Sequence, residues 1–353
     1  MTQLSLEEKI GQLFILGFIG DKLHDDHPIV QDIEQRNLGG VILFDRFIAG
    51  GQKSNNIINA DQLRQLTASL QQRAAEPLLI AVDQEGGKVN RFKKERGFPV
   101  TPSAMELGMC PDLQQTLAGA RQTAGMLSDV GVNLNLAPVV DLNLSPENPI
   151  IGHYGRSFSA DPATCAAHAG AWIDEHRRQG VLCCLKHFPG HGGSRTDSHL
   201  GFVDITDTWQ EIELLPYRYL LQNAQADAIM LGHLFNKKFD AHFPASLSRA
   251  TINTLIRGQL HFTGVLISDD MQMKAITAHY GLADACCQAL AAGVDLLIIG
   301  NNLAYDPLIL SKVRDTILRG VEKGTITEAR VEEAWNRIQK YKQSIKSMHH
   351  EQQ

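Results

Sequence analysis

Residues 186–201 read KHFPGHGGSRTDSHLG, and three histidines fall within thirteen of those positions. Pro189, Gly190, Gly192 and Gly193 prevent a helix, so the segment is a loop. Within it, Asp197 and His199 are two apart, and in an extended stretch such residues face the same side. Asp197 can then hold His199 in one tautomer and stabilise its charged form. A histidine near neutral pH can give a proton to a leaving group and later take one from water. Metal binding is the first alternative. His187 and His191 are four apart, but Pro189 and Gly190 between them prevent stacking on one helical face, and only part of a ligand set is recognisable. The plainer alternative is a surface loop with incidental polar residues.

A second segment, GVLISDDMQMKAI (264–276), carries Asp269 at the end of a strand-like run. A carboxylate there can attack a sugar C1 and form a covalent intermediate. Asp270 is its rival, but successive side chains alternate in direction, and Asp270 better fits a cap on the next helix. Met271 and Met273 read as packing residues. In PLLIAVDQEGGKVNRF (77–92), Asp83 ends another run before a tight Gln84–Glu85–Gly–Gly turn. It can grip sugar hydroxyls or cap a helix, and local sequence does not separate the two. In GHYGRSFSADP (152–162), Arg156 can bind a hydroxyl or a carboxylate, although a lone arginine is more often a surface residue.

These residues need elements to hold them. Eight short apolar runs alternate with helical patterns: 15–20, 39–44, 77–83, 132–141, 181–187, 228–234, 264–270 and 295–302. Most are near-continuous rather than alternating, as expected for parallel strands buried on both faces. Between them lie stretches long enough for crossover helices, such as ACCQALAAG (285–293), which ends in Gly293 as a helix should. The pattern predicts an α/β fold, a single (β/α)₈ TIM-type barrel, with an open doubly wound sheet as the alternative. Several runs finish on Asp83, Asp141, Lys186 with His187, His233, Asp269 with Asp270, or Asn301 with Asn302. In a barrel those positions line the C-terminal mouth, where active sites lie.

The chain has 353 residues, enough for one barrel of about 250 residues with insertions. We expect the barrel over 1–346 and a frayed tail over 347–353. With 43% hydrophobic and 20% charged residues, the composition is that of a globular protein. A net charge of -6 and no Lys/Arg run argue against nucleic acid as a partner. The apolar run near the N-terminus is too short to span a bilayer and lacks a basic leader, so it reads as a first helix followed by a buried strand. The six cysteines, two pairs of them adjacent, show no disulfide or zinc-knuckle spacing. They are expected to be buried thiols in a reducing compartment, which points to the cytoplasm. The last helix starts near Thr327, with Val331, Trp335, Ile338 and Tyr341 on one face.

Taken together, the motifs resemble glycoside hydrolase family 3, in its single-domain bacterial β-N-acetylglucosaminidase branch of the peptidoglycan-recycling type. The resemblance runs from about Leu6 to Asn302 and includes GGVILF, DQEGGKVNRF, LAPVVDLN, GRSFSADP, KHFPGHGGSRTDSH, GHLFN with PASLS, and ISDDMQM, in the family's order. It implies Asp269 as nucleophile and His199, paired with Asp197, as acid/base. It implies Asp83 as the residue gripping the sugar hydroxyls, with Arg156, Lys186 and His187 at sugar-contacting positions. Arg91 belongs to the same set, and His233 falls near the acetamido pocket. Two positions depart from the family pattern. Gly193 stands where the loop usually has Asp, and Lys88 stands where DQEGGR has Arg, losing a bidentate fork.

The expected activity is retaining hydrolysis of a terminal β-linked N-acetylglucosamine from a saccharide substrate, by a monomer with no metal, no other cofactor and no membrane partner. A β-glucosidase or a phosphorylase on the same scaffold, and a catalytically silent sugar-binding protein, are the alternatives. The sequence leaves the aglycone open.

Overall fold

The computed structural model describes residues 4–51, 53–145, 147–195 and 201–350. Eight parallel strands form the expected ring: β1 (Phe14–Gly17), β2 (Gly40–Ile42), β3 (Leu79–Val82), β4 (Leu134–Asn135), β5 (Leu182–Phe188), β6 (Ala228–Leu231), β7 (Val265–Ser268) and β8 (Leu297–Ile299). From β1 to β7 each strand pairs with the next in chain order, and β1 pairs with β8 through Phe14↔Leu297, Ile15↔Ile298 and Leu16↔Ile299. A single parallel bridge, Ile267↔Leu296, just ahead of β8, closes the ring between β7 and β8. Chain order is thus kept around the ring, with no switch point of the kind an open doubly wound sheet would have.

The apolar runs explain this arrangement. Every residue of β1, β3, β5, β6 and β7 is buried, because one face fills the barrel and the other meets the helices. β4 is shorter than its apolar run. Pro138 has no N–H to give to the ladder, and pairing resumes at Val139, which bridges Lys186. The crossover helices start and stop on local signals. Asn59 Oδ1 accepts the Gln62 amide (2.9 Å) ahead of Ala60–Arg73, and Asp161 Oδ2 accepts the Thr164 amide (2.8 Å) ahead of Pro162–Arg178. Gly293, at φ 125°, ends Leu282–Ala292. The crossover after β6 departs from the α pattern: Ile252–Gln259 is a π-helix.

The N-terminal residues form the expected helix, Leu6–Gly11, before β1. The last helix is Glu328–His350, so it continues past residue 346, where the sequence suggested a frayed tail. Its inner face carries Val331, Ile338 and Tyr341, all buried, with Trp335 partly buried. It seals the N-terminal end of the barrel. Tyr341 Oη donates to the Cys183 carbonyl (3.3 Å), and Arg330 and Arg337 reach Asp295 Oδ1 at 2.6 and 3.1 Å. All six cysteines are free thiols. Cys165, Cys183, Cys184 and Cys286 are buried, but Cys110 and Cys287 are partly exposed, contrary to the expectation of six buried thiols. Among the described residues no helix is long and apolar enough to cross a membrane.

Candidate active site

The strand-end residues converge on a cavity of about 330 Å³ at the C-terminal mouth. A larger groove, about 790 Å³, lies on the flank between residues 21–24 and the helix Ala60–Arg73, away from the strand-end residues. The chemistry therefore sits at the smaller cavity. Asp83, Arg91, Arg156, Lys186, His187 and Asp269 all line it.

Asp83 leaves β3 and does not cap a helix. Its Oδ1 accepts from Lys186 Nζ (2.8 Å), and Arg91 Nη2 stands 3.7 Å from its Oδ2. Gln84 turns away, buried, and organises the following turn. Its Oε1 accepts the Arg91 and Phe92 amides, and its Nε2 donates to Asn90 and Thr101. Glu85 then points back to the mouth, as alternation along an extended stretch requires. Its Oε1 lies 2.7 Å from Lys186 Nζ, and Arg156 grips both its oxygens at 2.7 and 2.8 Å. Burial pushes the Glu85 carboxyl up, but Arg156 and then Lys186 outweigh it and hold the group well below the usual carboxylate range. Lys186 is likewise disfavoured as a cation by burial, yet Asp83 and Glu85 raise it above the ordinary lysine value.

Between Leu185 and Phe188 the register of β5 against β6 slips. Lys186 and His187, consecutive in sequence, both line the cavity, a re-aiming typical of such irregularities. Arg156 Nη2 lies 3.2 Å from His187 Nε2. A guanidinium cannot accept, so Nε2 is the acceptor and the ring proton sits on Nδ1, facing Asp141 Oδ2 at 2.7 Å. Asp141 also accepts the backbone amides of His187 (3.1 Å) and His191 (2.8 Å). Burial opposes its charge, but His187 and His191 hold its carboxyl below the ordinary value. His191 itself is buried and lowered to about 4 by that burial, and its ring meets Ser194 Oγ (2.6 Å). It is a neutral support for the loop. Among the described residues no group of three side chains is placed to hold a metal ion.

On the opposite wall, Asp269 ends β7 and its Oδ1 accepts the Asp270 amide (2.8 Å). Asp270 plays a different part. Its Oδ1 accepts the amides of Gln272 and Gly300, both at 3.0 Å, which ties the end of β7 to the end of β8. His233 does not line the cavity. It is buried behind this turn, where Nε2 donates to the Asp270 carbonyl (3.0 Å) and Nδ1 meets Ser246 Oγ (2.7 Å). Lys88 stands on the rim, with Nζ 3.1 Å from the His153 carbonyl and 5.3 Å from the centre of the Tyr154 ring. Met273, expected only to pack, also lines the cavity. Asp197 and His199 lie outside the described residues.

Sequence reasoning missed Glu85 as a site residue, and it placed Asp141 at the barrel mouth without a role. The spacing of Glu85, two after Asp83, was the available signal for the first. For Asp141 there was only its place at a strand end.

The arrangement is a cup with cations and carboxylates on one wall, Asp269 on the other and apolar side chains such as Phe44, Leu136, Met230 and Ile298 between, suited to gripping the hydroxyls of a ligand. Comparison with known proteins gives the family. A beta-hexosaminidase of Tolumonas auensis is 36% identical over 296 residues, covering 80% of this chain and 84% of its own. Beta-hexosaminidase LpqI of Mycobacterium tuberculosis is 34% identical over 302 residues, covering 84% of this chain and 73% of its own. Among solved structures, a family 3 β-N-acetylglucosaminidase from Paenibacillus sp. superposes with a TM-score of 0.88 at 32% identity, over 97% of this chain and 63% of that one. A β-N-acetylhexosaminidase from Beutenbergia cavernae superposes with a TM-score of 0.83 at 31% identity, over 96% of this chain and 98% of that one. The pattern of the glycosyl hydrolase family 3 N-terminal domain matches residues 5–341, and the chain belongs to that family of glycoside hydrolases.

Proposed function

We propose that this chain is a retaining exo-β-N-acetylglucosaminidase that removes terminal, non-reducing β-linked N-acetylglucosamine, with peptidoglycan fragments as the natural source. The observation that carries the reading is Asp269 in one cavity with the Asp83–Lys186–Glu85–Arg156 cluster. A small cup closed below by the packed barrel suits one terminal sugar. The relatives named above, two beta-hexosaminidases and a β-N-acetylglucosaminidase, support the choice of sugar.

Asp269 attacks C1 through an oxocarbenium-like transition state, while His199, oriented by Asp197, protonates the departing oxygen. The neutral His199 then takes a proton from water, which releases the sugar with retained configuration. Asp83, Lys186, Arg156, His187 and Arg91 bind the sugar, and that binding energy is best used in distorting the ring. His233 acts from behind by steadying the turn that presents Asp269. The proposed steps use no metal or organic cofactor. Action as a monomer in the cytoplasm belongs to the same proposal.

The test is release of p-nitrophenol from its β-N-acetylglucosaminide by wild type and by Asp269→Ala, with the anomer of the first-formed sugar read by NMR. An active wild type, an Asp269→Ala variant reduced by several orders of magnitude and a β-anomer first product support the reading. An α-anomer product, cleavage of the β-glucoside alone, or sugar 1-phosphate on adding phosphate would each overturn it.

A further inference from the structure

Beside the cup, the loop 189–194 is held from several sides. Trp209 Nε1 donates to the Pro189 carbonyl (3.0 Å), and Asn148 Nδ2 donates to the carbonyls of His191, Gly192 and Ser194 at 2.8, 3.1 and 3.0 Å. Asp141 takes the His191 amide from one side (2.8 Å). From the other side a second carboxylate, Glu213, takes the Gly192 amide on Oε2 (3.1 Å) and the Gln210 amide on Oε1 (3.2 Å), with the Gly193 amide as a further donor.

Glu213 comes from a 3₁₀ turn, Glu211–Leu214, and is 1% exposed. The fit is close. A Cβ at Gly190, whose φ is 125°, would lie 2.6 Å from Glu213 Oε2, and a Cβ at Gly192 would lie 1.8 Å from the Leu142 carbonyl oxygen. Burial pushes the Glu213 carboxyl up to about 7 despite its amide donors, with Asp141 across the loop adding to the rise. A buried carboxylate is a costly way to hold a loop. When ionised it offers two acceptor oxygens and no donor, whereas a glutamine would turn its NH₂ toward a backbone N–H. Neither Glu213 nor the amides it holds lines the sugar cup. What they fix is the root of the chain that runs on from Arg195 to Asp197 and His199.

We propose that Glu213 is a positioning residue for the leaving-group step: it clamps the backbone of Gly192 and Gly193 and thereby sets where the acid/base acts. The inference rests on the reading of His199 as acid/base. Loosening the clamp leaves Asp83, Lys186, Arg156 and Asp269 in place, so sugar binding and nucleophilic attack persist while protonation of the leaving oxygen suffers.

The experiment measures kcat/KM, which reports the first bond cleavage, for Glu213→Gln, Glu213→Asp and wild type on aryl β-N-acetylglucosaminides from 2,4-dinitrophenyl to phenyl. A dinitrophenolate leaves without a proton, whereas a phenolate needs one. For Glu213→Gln we expect a fall of about 30-fold on the phenyl glycoside and under about 3-fold on the dinitrophenyl one, part of the 10²–10⁴ that acid catalysis supplies. A fall of equal size across the series, or none, would overturn the proposal, because a lower folded fraction or a damaged sugar cup cannot depend on the leaving group. Should Glu213→Gln not fold, Glu213→Asp is read in the same way. His199→Ala is run alongside. If it is insensitive to the leaving group, the acid/base reading has failed. If it is sensitive and the Glu213 variants are not, this inference alone has failed.

Discussion

Glu85 and Arg156 meet through two parallel contacts, Nε to Oε2 at 2.7 Å and Nη2 to Oε1 at 2.8 Å, with both side chains nearly buried at the wall of the cup. Truncating the acid alone leaves a buried guanidinium and weakens the hold on Lys186, an uncompensated charge that costs about 3–5 kcal/mol. Glu85→Ala is therefore expected to melt at a markedly lower temperature and to raise KM for the aryl glycoside by about tenfold or more, the latter corresponding to about 1.4 kcal/mol. Calorimetry and steady-state kinetics check the two effects. An unchanged KM would mean that Glu85 does not set the geometry of Arg156 and Lys186.

The two neighbouring acids after β7 are expected to separate cleanly. Asp270 accepts two amides through one oxygen, and an asparagine keeps that acceptor. Asp270→Asn is expected to stay within about tenfold of wild type in kcat, whereas Asp269→Asn loses about 10³-fold or more, as removal of a nucleophile does. Trapping with a 2-fluoro or slow substrate and intact-mass measurement locates the covalent adduct. A labelled Asp270 would reverse the assignment.

Gly192 is required by close approach rather than by backbone angle. A Cβ there would lie 1.8 Å from the Leu142 carbonyl oxygen, which is backbone and cannot swing away. Gly192→Ala is expected to cost about 1–3 kcal/mol of stability, the usual range for overpacking. Because the loop must move off Leu142, activity is expected to fall further than the folded fraction does. Parallel melting curves and active-site titration separate the two.

Lys342 lies buried at the sealed end of the barrel, where Nζ donates to Gln12 Oε1 (2.7 Å). Burial lowers its ammonium to about 7, with Glu76 pulling weakly the other way. Between that value and the ordinary lysine value the unfolded chain binds more protons than the folded one, so stability rises with pH across the window. Below about 7 both states are protonated, and the folded state carries the full cost of the buried charge. Lys342→Met is expected to raise the melting temperature most at pH 6, with a gain that shrinks as the pH approaches 10. A gain independent of pH would show that the amine binds the same number of protons in the folded and unfolded states, so that burial does not lower it.

Much of the architecture was legible in the sequence because its cause is local. A strand buried on both faces must be a near-continuous apolar run, and eight such runs became eight strands in order. The polar residues that end those runs were legible for the same reason. A chain that leaves the core must meet water or a ligand, and Asp83, Lys186, His187 and Asp269 do line one cavity. What the residues do to one another was decided by tertiary structure. Glu85 read as part of a tight turn until the ring set β3 beside β4 and brought Lys186 and Arg156 to its two oxygens. His233 read as a cavity residue, but its ring is used behind the Asp270 carbonyl. Asp141 and Glu213, about seventy residues apart, meet on opposite sides of one glycine loop. Burial follows from the periodicity of one segment. The pairing of buried charges follows from ring closure and from the register between strands, and no single segment carries that information.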